Sequence, residues 1–192
     1  GGGAGTSVNN YGVYVQPAGI ITSAGTASTA TVTVNGTGGK GNGVGPNFLS
    51  FNYGVFVNAA SSQITSSGGN VSVTGTGGTS TGFNNNGVVV NSSGQISAGG
   101  SGTVTVTGNA GPAAAIGLFI LSSGTITSAG GNIIANGTGA GPEAIGVQMQ
   151  SSGSIAGVNN ATVTVNGNSG TDAISNWGVR IQDGASVTAV NG

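Results

Sequence analysis

The residues of this chain that could do chemistry are few. The acids are Glu143, Asp172 and Asp183, the cations are Lys40 and Arg180, and histidine and cysteine are absent. Glu143 and Asp172 stand 29 residues apart in turn-like sequence. Two carboxyls held roughly 5–9 Å apart can cleave a glycosidic bond. Here no aromatic platform or cleft-forming loop accompanies them, and they read as solvated turn acids. Serine and threonine abound, but no imidazole is present to activate them, so a Ser-His-Asp triad is ruled out. Scattered carboxylates make no metal set, and calcium-binding repeats need an Asp in each repeat. Lys40 lies in Gly-Lys-Gly-Asn, which is not a phosphate-binding loop. The reading is of a chain with no catalytic residue, no metal and no cofactor.

Composition points the same way. In 192 residues only 3 % are charged and the formal net charge is −1, against about 25 % charged residues in ordinary globular domains. Two cations cannot neutralise a nucleic-acid backbone or hold an anionic bilayer surface. Apolar runs are short and broken by Gly and Asn, so no helical span and no direct membrane insertion is expected. Without cysteine no disulfide forms. Glycine supplies 42 residues.

What must position any functional residue is a repeat. A short motif recurs as Tyr-Gly-Val-Tyr-Val from Tyr11, Tyr-Gly-Val-Phe-Val from Tyr53, Asn-Gly-Val-Val-Val from Asn86, Ile-Gly-Leu-Phe-Ile from Ile116, Ile-Gly-Val-Gln-Met from Ile145 and Trp-Gly-Val-Arg-Ile from Trp177. Its glycines are spaced by 42, 33, 30, 29 and 32 residues. Each copy continues with a second segment, such as Gln-Ile-Thr-Ser at Gln63, and a third, such as Thr-Val-Thr-Val-Thr-Gly at Thr103. These segments are rich in Val, Ile and Thr and bounded by Gly, Asn and Ser, which is the pattern of strands. So much glycine and β-branching disfavours helix.

Alternation by two assigns the faces. Inward in the first strand lie Val13/Val15, Val55/Val57, Val88/Val90, Leu118/Ile120, Val147/Met149 and Val179/Ile181. The residue between them runs Tyr14, Phe56, Val89, Phe119, Gln148, Arg180, a mixture that only an outward position accepts. In the third strand Thr33, Ser72, Thr105, Ile134 and Thr164 point outward. Three one-sided strands per unit bury their apolar faces by coiling. The expected fold is all-β: a parallel β-solenoid with three short strands per coil and about six coils of roughly 30 residues. It forms one domain over residues 1–192, and parallel crossovers favour right-handed coiling. The glycine before each first strand, and Asn35, Asn136 and Asn166 before glycines, are expected at the corners. The rival is an antiparallel sandwich in which Asn-Gly marks hairpins; it leaves the constant three-strand unit unexplained.

Between third and first strands the turns vary in length. The longest spans about residues 38–52 and carries Phe48, Leu49 and Phe51. Those side chains are expected to fold back over the outer face or to contact a ligand. The outward column Tyr14, Phe56, Val89 and Phe119 forms an apolar stripe of the kind that marks contacts. It could pack on the chain's own long turns, on another filament or on sugar rings. Five Asn-x-Ser/Thr sequons, at Asn35, Asn70, Asn91, Asn136 and Asn160, are no more than such a composition supplies by chance.

The elements Gly-Val-x-Val, x-Ile-Thr-Ser-x-Gly-Gly and x-Val-Thr-Val-x-Gly resemble the β-solenoid stretches of large bacterial surface proteins, of the filamentous-haemagglutinin-like adhesin and autotransporter-passenger type. The likeness runs over nearly the whole chain, although the coil is longer here than in haemagglutinin-like rods. It implies a secreted, extracellular or cell-surface rod with an adhesion, biofilm or matrix role. Both ends read as cuts within a repeat, so the expected partners are more of the same chain or another copy stacked end to end. A glycan-binding surface is the alternative, and a polysaccharide-active β-helix enzyme a more distant one.

Overall fold

A computed structural model of the chain describes residues 8–23, 30–41, 49–113, 115–170 and 175–191. Seventeen strands and no helix occur among these residues. The coils run β1 (Val13–Val15), β2 (Ile20–Ser23), β3 (Val32–Thr37); β4 (Val55–Asn58), β5 (Gln63–Ser66), β6 (Val71–Thr76); β7 (Val88–Asn91), β8 (Gln95–Ala98), β9 (Val104–Asn109); β10 (Ile116–Ile120), β11 (Thr125–Ser128), β12 (Ile133–Thr138); β13 (Ile145–Met149), β14 (Ser154–Gly157), β15 (Val163–Asn168); then β16 (Trp177–Ile181) and β17 (Ser186–Ala189).

Each of the three strand types makes its own sheet by pairing coil to coil. The orders are β1-β4-β7-β10-β13-β16, β2-β5-β8-β11-β14-β17 and β3-β6-β9-β12-β15. Every pair is parallel and in register: Val55 faces Val88 and Val88 faces Leu118, Ile64 faces Ile96, and Val71 faces Val104. This is the parallel β-solenoid. The antiparallel sandwich is excluded, because no named strand pairs with the next one in the chain. Identical side chains stack at the strand-to-strand spacing of about 4.8 Å, and the inward rungs form one continuous dry core. Val55, Val88, Leu118, Val147, Ile64, Ile96, Ile126 and Ile155 are fully buried within it. Burying one such side chain stabilises by about 1.5–3 kcal/mol, so the core gains strength with each added coil.

The structure moves the corners from where the sequence suggests them. Asn35, Asn136 and Asn166 are strand residues, paired with Thr74, Thr107 and each other in the third sheet. The glycines that follow are also inside the strands and have no left-handed φ. Their role is close approach. A Cβ at Gly108 would lie 2.5 Å from the carbonyl carbon of Gly117, and one at Gly117 would lie 2.7 Å from the carbonyl oxygens of Gly108 and Gly146. The end of each third strand therefore touches the start of the next first strand, backbone on backbone. Two glycine ladders make that seam, and the apolar interior needs no side chain there.

The sharp corner instead lies between first and second strands, and in the third, fourth and fifth coils a pair of serines makes it. Ser92 and Ser93 have φ of 51° and 66°, Ser122 and Ser123 49° and 61°, Ser151 and Ser152 49° and 62°. In each case the following glycine amide donates to the residue three back, as Gly94 does to Asn91 at 2.9 Å. Two positive φ values closed by that bond are the signature of a type I′ turn, which usually takes Gly or Asn. The left-handed cost is offset by ladder bonds: the amides of Ser93 and Ser123 donate to the carbonyls of Ser122 and Ser151 in the next coil, at 3.0 and 2.9 Å. At the next corner the buried hydroxyls of Ser66 and Ser128 donate to the Gly69 and Gly131 carbonyls.

Candidate functional site

The first sheet carries the outward column Tyr14, Phe56, Val89 and Phe119, and the register stacks these residues as expected: Tyr14 on Phe56, Phe56 on Val89, Val89 on Phe119, then Gln148 and Arg180. They do not make one exposed apolar stripe. Tyr14 is 37 % exposed, but Val89 is only 3 % exposed and Gln148 7 %. Phe56 and Phe119 are half-buried. A short valine between two bulky rings sits below the surface they define, so exposure breaks in the middle of the column.

At one end the column broadens into an aromatic cluster. The rings of Tyr14 and Phe56 stack with centroids 5.1 Å apart at 10°. Tyr11 packs against both, at 5.0 and 5.2 Å, and lies 5.5 Å from Tyr53. Tyr53 meets Phe56 edge-on at 5.1 Å, and Phe51 meets Tyr53 edge-on at 6.1 Å. Tilted and edge-on pairs are the favoured arrangements of aromatic quadrupoles. Phe51 of the long turn thus folds back onto the cluster through Tyr53, whereas Phe48 lies outside the described residues. Leu49 is half-exposed and bridges to Phe83 of the next long turn. Burial pushes the Tyr53 phenol well above its ordinary range, with the neighbouring Tyr11 adding to the shift. Burial, followed by Tyr14, raises Tyr11 as well. Both phenols are therefore held neutral and serve packing. At the other end Arg180 lies over the Trp177 ring, 4.7 Å from its centroid, a cation–π contact.

A second feature has a signal in the sequence that is easily overlooked: Asn two residues before the first-strand glycine, in Asn10, Asn52, Asn85 and Asn176. These side chains fasten the long turns. Asn52 is fully buried; its Oδ1 accepts from the Asn10 backbone amide at 2.9 Å and side-chain amide at 3.1 Å, and its Nδ2 donates to Ser80 Oγ at 3.3 Å. Asn85, also fully buried, accepts from Ser80 Oγ at 3.0 Å and donates to the carbonyls of Ser80 and Gly82. Asn176 Oδ1 accepts from the Ala144 amide at 2.9 Å. Asn52 and Asn176 thus accept from a backbone amide of the neighbouring coil where the strand ladder has not yet begun, whereas Asn85 ties its own turn together through Ser80 and Gly82.

The acids do not converge. Glu143 and Asp183 are exposed on separate turns, and Asp172 lies outside the described residues. No group of three His, Cys, Asp or Glu side chains that could hold a metal and no pocket occurs among the described residues. No family model matches the chain, and no curated protein or solved structure is significantly similar to it.

The outer face of the third sheet is the most regular surface. Its three outward columns run Thr33–Ser72–Thr105–Ile134–Thr164, Asn35–Thr74–Thr107–Asn136–Asn166 and Thr37–Thr76–Asn109–Thr138–Asn168. All are at least partly exposed. In the middle column Asn166 donates to Asn136 at 2.9 Å and Asn136 to Thr107 at 3.5 Å. In the two flanking columns no side chain bonds to another protein atom among the described residues.

Proposed function

We propose that the chain is a non-catalytic rod segment of an extracellular fibre or cell-surface adhesin. The observation that carries this reading is the single stacking rule: six coils meet in register on three sheets, and the rule does not change along the stack. A further coil, from the same chain or from another copy, would join by the same ladder. Heterologous stacking of that kind builds an open filament and not a closed ring. The near absence of charge and the scarcity of Lys and Arg for proteases to cut fit a durable exposed rod.

A second reading has one specific observation behind it. The stacked pair Tyr14 and Phe56, flanked by the Asn58 amide 3.4 Å from the Tyr14 hydroxyl, offers a ring face and a polar rim of the kind that grips a sugar. Negative-stain imaging and fibre diffraction of the native material test the first reading. Extended rods of constant width with a meridional spacing near about 4.8 Å are expected. Compact isolated particles that degrade a polysaccharide would overturn it. A glycan array probed with the chain and with Tyr14→Ala tests the second; array signal lost in the variant is the expected result, and a blank array refutes it.

A further inference from the structure

We infer that the outer face of the third sheet binds crystalline water, that is, the surface of ice. The inference rests on this face alone and not on the rod reading. Of its fifteen outward positions, fourteen are Thr, Ser or Asn and one is Ile134; none is charged. The paired strands run in register for six residues without a bulge. The columns therefore repeat about 4.8 Å across the strands and about 6.7 Å along them. Threonine, the commonest residue there, is stiff at χ1, so the rigid sheet fixes where each hydroxyl and methyl sits.

An ordinary soluble surface carries charges of both signs on about a quarter to a third of its positions. In a chain only 3 % charged this face, like most of the surface, offers no charge with which nucleic acid, an anionic membrane or a charged mineral could pair. The face measures roughly 13 by 19 Å, far below the about 800 Å² per partner of a stable protein interface, so a second copy is not the natural occupant. It has no aromatic ring on which a saccharide could stack; those lie on the first sheet. The hydroxyls of the flanking columns, such as Thr33, Thr105 and Thr76, meet no protein acceptor or donor among the described residues and are open to solvent. Ordering a first-layer water carries an entropic cost. In ice that ordering is already in place, so a repeating set of fixed hydroxyls gains its hydrogen bonds to the solid without that cost.

The test grows polycrystalline ice slowly from a dilute solution of the chain and measures the fraction of protein taken into the solid, together with thermal hysteresis and crystal habit. Wild-type chain is expected in the ice at a concentration at least tenfold above that of an inert protein of equal size. Thr105→Tyr, on the middle strand of the face in one flanking column, and Thr76→Tyr, in the other and more exposed one, each lower that enrichment about tenfold. Thr22→Tyr, on the second sheet, leaves it unchanged. Circular dichroism identifies any variant that fails to fold, and the two positions stand in for one another. Exclusion of the wild-type chain from ice overturns the inference. So does enrichment that survives both substitutions in folded protein, or binding to crystalline cellulose or chitin with no retention on ice.

Discussion

Substituting Gly108 by alanine tests the seam between the sheets. In an unconstrained strand the change would stabilise by about 0.4–1 kcal/mol, because alanine has fewer unfolded conformations to lose. Gly108 has no positive φ, so no backbone strain opposes alanine. Space does: the new Cβ would lie 2.5 Å from the Gly117 carbonyl carbon and 3.0 Å from the Leu118 nitrogen. A comfortable carbon contact is about 3.5–4.0 Å, so β9 and β10 must separate by about 1 Å. Yet β10 is held on both sides, by the Gly87 amide on the Ile116 carbonyl at 3.1 Å and by its register with β13. Moving it that far stretches one or two ladder bonds beyond useful length, at about 0.5–1.5 kcal/mol each. With residual overpacking, the expected net loss is about 2–3 kcal/mol, within the usual range for added methylenes. For a chain of this size it corresponds to a fall in Tm of about 4–12 °C, measured by circular dichroism. Thr105→Ala on the same strand faces outward and should change stability by no more than about 0.5 kcal/mol. Gly108→Ala protein melting at or above the wild-type temperature would refute the close-approach reading of the glycine ladders.

Two further outcomes follow from the corner and the aromatic cluster. Ser123 is exposed and holds a left-handed φ of 61°; Ser123→Gly removes a left-handed cost of about 1–2 kcal/mol against an entropic cost of about 0.5–1 kcal/mol, so denaturant titration should show a small gain, whereas Ser123→Val should lose about 1–2 kcal/mol. The Tyr11 and Tyr53 phenols are raised in the folded chain by burial, so the unfolded chain releases their protons first; stability from this source is complete below about pH 10 and falls as pH rises above it. The alkaline loss should shrink in the Tyr11→Phe, Tyr53→Phe double variant, and an unchanged alkaline profile would show that the cluster does not set it.

The sequence by itself determined the coil. Val13/Val15 and their five counterparts alternate with residues as different as Tyr14, Gln148 and Arg180, and only one inward and one outward face can satisfy that pattern. Repetition at near-constant spacing then makes stacking the way to bury all the inward faces at once. The outcome is a set of parallel ladders in the expected register, with the aromatic column in its expected order. Other features depend on contacts between coils, which no local pattern records. Whether a glycine turns the chain or admits a neighbour depends on what lies opposite it, and Gly108 faces Gly117 only once two coils are stacked. A serine pair adopts left-handed φ because the coil above accepts its amide, so Ser122 and Ser123 look like ordinary turn residues in the sequence. Val89 belongs to the outward column, yet its burial follows from the greater size of Phe56 and Phe119 on either side. The buried amide of Asn52 likewise acquires its role from the Asn10 backbone amide of the neighbouring coil, which lies ahead of β1. Side-chain periodicity fixes direction along a strand; depth, close approach and hydrogen-bond partners are properties of the assembled stack.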